Sequence, residues 1–505
     1  MSENQPGLGP PESQGSSGVA GRCCGLGCVG ILLLGGILAG VLTADASARL
    51  DTRLLQIADE VADFKDRAPG PRQTVLGQPA NEENAHTDYN GLRWALAGGN
   101  LDLLPDRWRR EPPKLPVDIK ALTAQIAPRG QAVDPEALGY TDFGRPDLKV
   151  LMSGIDPDVK TFNSPKGKAR YARAVKEDER LKPALRYVRD GLSRGHCDWE
   201  VNWEAGMRCE YPDLGYSLYV ANLLSYEASQ QSPRQAIQTS LEIVAYGQDM
   251  SRSGTNLGYV LGIDVCNLGF QSLAYTLGRA GLEASDYQRV IEALRSYAEG
   301  VPNPEDALAG TKLQEVLSAL ALSGRRLDPP SAHDGTGYSS FQVSDSPRFD
   351  VAIADDIEGY EKLMQGTIEI LQLAPADRPA AQTKLTLEIE GSSYVTAKGL
   401  LYGLQGGVKG LVKTHQDTCD LAEAARVLAG AHLLRLDSGS FPSGIGAVSP
   451  RLGPEPSDRH TRLGYRLRGG VLECWGLGEN GRDDGGGGDD VRLQTRAPAA
   501  SPRGR

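Results

Sequence analysis

The chain is poor in aromatic residues, at 6%, and holds only six histidines and five methionines in 505 positions. It has no excess of positive charge either: 54 Lys+Arg stand against 65 Asp+Glu, a net charge of −11. That balance excludes a nucleic-acid binder that relies on a generally basic face. Eight cysteines are too few for a disulfide-built scaffold, and 61 glycines without a three-residue period exclude a collagen-like chain. No H-E-x-x-H or G-x-S-x-G run occurs, so the sequence displays no zincin or serine-hydrolase signature. With 40% hydrophobic residues the chain is nonetheless too apolar to be wholly disordered.

What is present begins with an uncharged run. Residues 23–44, CCGLGCVGILLLGGILAGVLTA, hold no charge between Arg22 and Asp45. As a helix they would extend about 33 Å, enough for the hydrocarbon core of a bilayer. The run reads as a retained single span. A cleaved signal peptide is the alternative, because Ala44-Asp45-Ala46 and Ala46-Ser47-Ala48 both offer small-x-small patterns. The leader 1–22 is rich in Gly, Pro and Ser, which marks a disordered tail. A short leader before one long domain suits a signal-anchor with the bulk of the chain periplasmic or extracytoplasmic, in a bacterial inner membrane. Gly36 and Gly40 form a G-x-x-x-G pair through which two spans could pack as a homodimer.

The remainder reads as mainly α. A helical domain is expected over 45–325, a linker or long loop over 326–349 and further helices over 350–436. Ser232-Pro233 and Asn303-Pro304 are start signals, with proline at the first helical position. Ser285 to Glu299 carries apolar residues at helical spacing and stops at Gly300, with Ser285 as the expected cap. Residues 256–280 are nearly uncharged, but Asp264, Asn267 and Gln271 make a buried central helix the better reading than a second span. The helix starts are spaced too irregularly for a strict repeat, so a loose array of helical hairpins is expected. Within 350–436 the helices are expected at about 350–373, 394–413 and 417–436. A small β element follows over 437–492, with strands at Tyr465–Leu467 and Val471–Trp475, and 493–505 reads as a second disordered tail.

The candidate chemistry is sparse. Asn480, Asp483, Asp484, Asp489 and Asp490 place hard oxygen ligands around four glycines, a composition that suits calcium. A solvated acidic loop is the plain alternative. Cys197 and Cys209 could close a small disulfide in an oxidising compartment, or be two buried thiols. Glu200 and Glu204, at i and i+4, could serve as a general acid and base, although such a pair is usually a solvated face. G-x-G-x-x-G occurs at Gly25–Gly30 and Gly476–Gly481, and neither match links a strand to a helix that could hold a pyrophosphate.

The segment GYRLRGGVLECWGLGENGRDDGGGGDDV, residues 464–491, resembles the C-terminal hairpin and calcium loop of type II secretion major pseudopilins. The helix ending Leu436-Asp437-Ser438-Gly439 and the following Phe441-Pro442 look like the helix and G-x-Y-P lead-in of those proteins. The Phe-Thr-Leu-x-Glu run that opens a pseudopilin span is missing before Cys28 or Ile31, so the chain as a whole does not read as a pilin. A broader resemblance is to uncharacterised membrane-anchored helical bacterial proteins. It rests on Asn84-Ala85-His86-Thr87-Asp88-Tyr89, read there as a short helix, on the junction Cys197-Asp198-Trp199 and on the Asp-Gly-rich C-terminal loop. These readings converge on a membrane-anchored extracytoplasmic helical scaffold or binding protein without catalysis, with a protein or envelope ligand, no nucleic-acid partner and a calcium-stabilised C-terminal loop. The alternatives are an envelope hydrolase using carboxylates and an accessory component of a secretion or pilus-like assembly.

Overall fold

The computed structural model describes residues 20–67, 75–77, 81–86, 88–89, 91–92, 181–201, 203, 214–322, 325, 327, 347–373, 377–391, 395–452, 463–477, 483–487 and 490–496. Their order is α1 (Ala20–Asp66), β1 (Asn81–Asn84), α2 (Leu181–Leu192), β2 (Arg194–His196), α3 (Leu214–Gln230), α4 (Pro233–Ser251) and α5 (Asn256–Leu277). There follow α6 (Ala284–Glu299), α7 (Pro304–Leu322), α8 (Pro347–Gln372), α9 (Arg378–Glu390), α10 (Val395–Ser438) and α11 (Ile445–Val448). Three strands close the chain: β3 (Leu463–Arg468), β4 (Val471–Gly476) and β5 (Val491–Arg496). The fold is therefore mainly helical, with a small antiparallel sheet near the C-terminus.

Local chemistry sets the helix starts. At α4 the Gln235 side chain folds back to accept from the Ser232 backbone N–H and hydroxyl, at 3.4 and 2.8 Å, while Pro233 supplies the first helical φ. At α5 the Thr255 hydroxyl accepts from Gly258 N at 3.0 Å. The start of α6 lies at Ala284 with Glu283 as cap, two residues before the expected cap Ser285. Asp286 explains the shift. Its carboxylate accepts from Glu283 N at 2.9 Å and is gripped by Arg234 of α4 at 2.9 Å, so a tertiary contact fixes the first turn.

The core centres on α5, which packs between α4 and α10. Tyr259, Ile263, Cys266, Phe270, Leu273 and Leu277 are buried along one side, while Leu257 and Tyr275 open to solvent on the other. The α4–α5 contact is backbone to backbone. A Cβ on Gly247 would come within 2.5 Å of the Gly262 carbonyl oxygen, and one on Gly262 within 2.4 Å of Ser251 N.

The pair of helices expected at 394–413 and 417–436 is a single helix, α10. No proline or cap separates the halves, and the junction is spliced by i,i+4 contacts, Lys413 to Asp417 at 2.5 Å and Gln416 to Asp420 at 2.8 Å. Helix α9 begins at Arg378-Pro379, with proline in its first turn. The C-terminal sheet has the order β3-β4-β5, all antiparallel. Its third strand runs four residues into the stretch that composition assigned to a disordered tail. Leu493 and Thr495 alternate inward against Arg492, Gln494 and Arg496 outward, and this period of two fixes the strand.

Helix α1 is continuous from Ala20 to Asp66 and contains the run expected to span a membrane. Ala46, Leu50, Ile57 and Val61 are buried against α7 and α8. Arg53 sits between Glu60 at 2.7 Å and Glu361, Lys312 bonds Glu60 at 2.9 Å, and Arg325 bonds Asp51 at 2.6 Å. Farther toward the N-terminus, Leu38, Val41 and Leu42 are exposed, and a Cβ on Gly40 would meet nothing within 4 Å. Gly36 lies on the same helix, and its surroundings are outside the described residues. Among the described residues no helix is long and apolar enough to cross a membrane.

Candidate functional site

Two segments that are remote in sequence meet at one edge of the helical body. Strand β1 pairs in parallel with β2, Asn81 opposite Arg194 and Asn84 opposite His196. Residues 81–84 are thus strand, and the helical turn expected at Asn84–Tyr89 begins only at His86. The Asn84 side chain locks the junction. Its Oδ1 accepts from His86 N at 3.1 Å and Asp198 N at 3.0 Å, while its Nδ2 donates to the Asp198 carbonyl at 3.0 Å and Glu200 Oε1 at 3.2 Å.

Glu200 is held in an unusual backbone state. Its φ is +49°, the one positive value at a non-glycine residue among those described. A left-handed conformation at a residue with a Cβ costs free energy and persists where the surroundings determine it. Those surroundings are visible: Asp198 Oδ1 accepts from Glu200 N at 2.9 Å, and His86 Nδ1 lies 3.6 Å from Glu200 Oε2. The imidazole is buried and the carboxylate is 62% exposed, so the pair presents one fixed carboxylate to solvent.

Beneath it, aromatic rings link the junction to the core. Tyr89 stacks on Trp199 at 5.3 Å, the Tyr89 hydroxyl donates to Asp249 Oδ2 at 2.5 Å, and Trp199 Nε1 donates to the Asp249 carbonyl at 2.8 Å. Asp249 is buried on α4, so the junction is tied to the central core. Arg194 bridges Asp88 at 2.7 Å and Glu83. Cys197 is buried here, and Cys209 and Glu204 lie outside the described residues. No local spacing announces this site, because its parts are separated by more than a hundred positions.

Of the acidic loop, Asp483, Asp484 and Asp490 are described, and Asn480 and Asp489 lie outside the described residues. Asp483 Oδ1 accepts from Trp475 Nε1 at 2.9 Å and Gly485 N at 2.8 Å. Asp490 Oδ2 accepts from Asp484 N and Gly486 N, both at 3.0 Å. Two carboxylates thereby hold the turn that Gly485 and Gly486 make at φ +70° and +79°. Arg466 lies 5.2 Å from the Trp475 ring, opposite Glu473. Among the described residues no three His, Cys, Asp or Glu side chains gather in a metal-holding group.

A third polar centre is buried where the sheet meets α10. His432 stacks on Tyr287 at 5.3 Å, meets Phe441 edge-on at 4.9 Å and shares a hydrogen bond with the Thr495 hydroxyl at 3.2 Å. Burial first, and the Arg435 guanidinium second, push this imidazole down to about 3. It is a neutral structural histidine. No family, no curated protein and no solved structure matches this chain.

Proposed function

We propose that the chain is a membrane-anchored, extracytoplasmic helical scaffold or binding protein without turnover, carried by the bacterial inner membrane. The observation that supports this reading is helix α1. Its second half is clamped to α7 and α8 by apolar packing and ion pairs, while its first half carries the uncharged run 23–44 and leaves Leu38, Val41 and Leu42 uncovered. Exposed leucines on an uncharged helix gain about 25 cal/mol per Å² on leaving water, and lipid is a partner of matching chemistry. The helical body would then hold a protein or envelope ligand outside the cytoplasm. Calcium on the Asp483–Asp490 loop would stabilise the C-terminal element.

Carbonate washing of membranes tests the anchor. The full chain should stay with the membrane pellet and a chain beginning at Asp45 should move to the supernatant, and protease added to spheroplasts should digest the body. Release of the full chain by carbonate would overturn the reading.

One observation favours a second reading, an envelope hydrolase: the strained backbone at Glu200 and the imidazole 3.6 Å from its carboxylate. Hydrolysis of isolated envelope material that disappears in Glu200→Gln would establish it. The pseudopilin resemblance supports a role beside a secretion assembly, for which copurification with such an assembly is the test.

A further inference from the structure

Helix α10 carries a pair of side chains that neither the acidic loop nor the Glu200 junction uses. His415 and Cys419 stand one turn apart on the same face, with Nε2 3.9 Å from Sγ. The other ring nitrogen, Nδ1, lies 2.6 Å from the hydroxyl of Tyr259 on α5, and that hydroxyl also reaches the Pro302 carbonyl at 3.5 Å. Cys419 and Tyr259 are buried and His415 is half-buried, so the imidazole is the more exposed of the two donors.

We propose that His415 and Cys419 form a two-point site for a soft monovalent cation, Cu(I), with Tyr259 positioning the imidazole. At the bond lengths zinc makes to these donors, about 2.3 Å to sulfur and about 2.0 Å to nitrogen, a metal of similar size fits between atoms 3.9 Å apart at a bent angle of roughly 130°. Thiolate and imidazole donors together select soft ions over Mg²⁺ or Ca²⁺.

Charge selects the valence. Binding replaces the thiol proton, Cys–SH and Cu⁺ giving Cys–S–Cu and H⁺, with the Nε2 lone pair as second donor and no electron transferred. The buried site stays neutral throughout. A divalent ion held by one thiolate would leave a net positive charge in a low-dielectric interior, and no third His, Cys, Asp or Glu ligand gathers there among the described residues. Tyr259 supplies what a ligating histidine needs behind it: in the tautomer that carries the proton on Nδ1, its hydroxyl accepts from Nδ1–H and donates to Pro302, which leaves the Nε2 lone pair toward Cys419.

A nucleophile and base reading of the same pair is weaker, because a substrate carbon would have to reach a sulfur that is 4% exposed. A bare cation has no such difficulty.

The test uses the full chain in detergent, without oxygen, equilibrated with Cu(I) buffered by a colorimetric chelator. The chain holds seven other cysteines, so the readout is a difference between variants. Cys419→Ser should retain one equivalent less than the wild type. His415→Gln should bind copper at that site at least tenfold more weakly, and Tyr259→Phe should keep the stoichiometry while losing about tenfold in affinity. Cys474→Ser, a thiol buried at the sheet, should lose nothing. Equal copper in the wild type and Cys419→Ser would overturn the proposal. So would a loss in Cys419→Ser that His415→Gln does not share, which makes Cys419 a lone thiol. An independent reading needs no variant that must fold: the His415 imidazole nitrogen signals of the wild type should shift on adding Cu(I), and unchanged signals would also overturn the site.

Discussion

Asn84 Nδ2 donates to Glu200 Oε1 at 3.2 Å, joining residues 116 positions apart, and Glu200 sits at φ +49° while it accepts that bond. The contact and the strain are coupled, since the bonds around Glu200 are what hold its backbone in a left-handed state. Two variants separate the terms. Both Glu200→Ala and Glu200→Gly remove the carboxylate, but only glycine accepts the positive φ without a steric cost. Glycine should be more stable than alanine by about 1 kcal/mol in urea unfolding, the reverse of their usual order. Alanine equal to or above glycine would mean that the backbone relaxes when the carboxylate is gone.

Gly247 tests the central helix pair. A methyl group there would meet the Gly262 oxygen at 2.5 Å and the Cys266 sulfur at 2.6 Å, and the backbone atom cannot rotate aside. Gly247→Ala should therefore destabilise the chain by about 1–3 kcal/mol, overriding the gain in helix propensity. A neutral or stabilising result in urea unfolding would show that α4 and α5 separate without cost.

The acidic loop yields a prediction in two parts. Asp483 and Asp490 each accept two N–H groups that are exposed or half-buried, so Asp483→Ala or Asp490→Ala should destabilise the chain even in chelator, by about 1 kcal/mol, and lower its melting temperature. If the loop also holds calcium, the wild type alone should melt higher as calcium rises past its dissociation constant. Melting curves that coincide in calcium and chelator would leave the carboxylates as turn anchors only.

His432 gives the pH dependence. Its folded value lies near 3, below the ordinary 6.5 of a histidine, so the native state binds this proton less readily than the unfolded chain does. The stability it contributes is complete above about pH 6.5 and is lost as pH falls toward 3, at up to about 1.4 kcal/mol per pH unit. His432→Gln should be less stable at pH 7.5, where ring stacking is lost, and should show a shallower acid slope between pH 6.5 and 4. Parallel slopes in the two proteins would place the acid sensitivity elsewhere.

Legibility in the sequence follows the range of the interaction. The Ser232-Pro233 start and the Gly300 stop are local devices, and they operate at the boundaries of α4 and α6. The α6 start moved because Arg234, fifty-two positions away from Asp286, fixes the first turn from another helix. Strand β5 was hidden by composition, three arginines and no acid suggesting a tail, although its alternation was present. The acids of the loop were visible as a cluster, but their use as acceptors for Trp475 and glycine N–H groups depends on the fold. The Asn84–Glu200 junction offered no local pattern at all. His415 and Cys419 stand at a readable i,i+4 spacing, yet the phenol that gives that spacing meaning comes from 156 positions earlier.

Helix α1 has a mechanical consequence. At 1.5 Å per residue its 47 residues form a rod about 70 Å long, with no proline to act as a joint. Tilt of the apolar end would reach the body at the seam where Arg53 sits between Glu60 and Glu361. The body does not swing on a tether. It points where its shaft points.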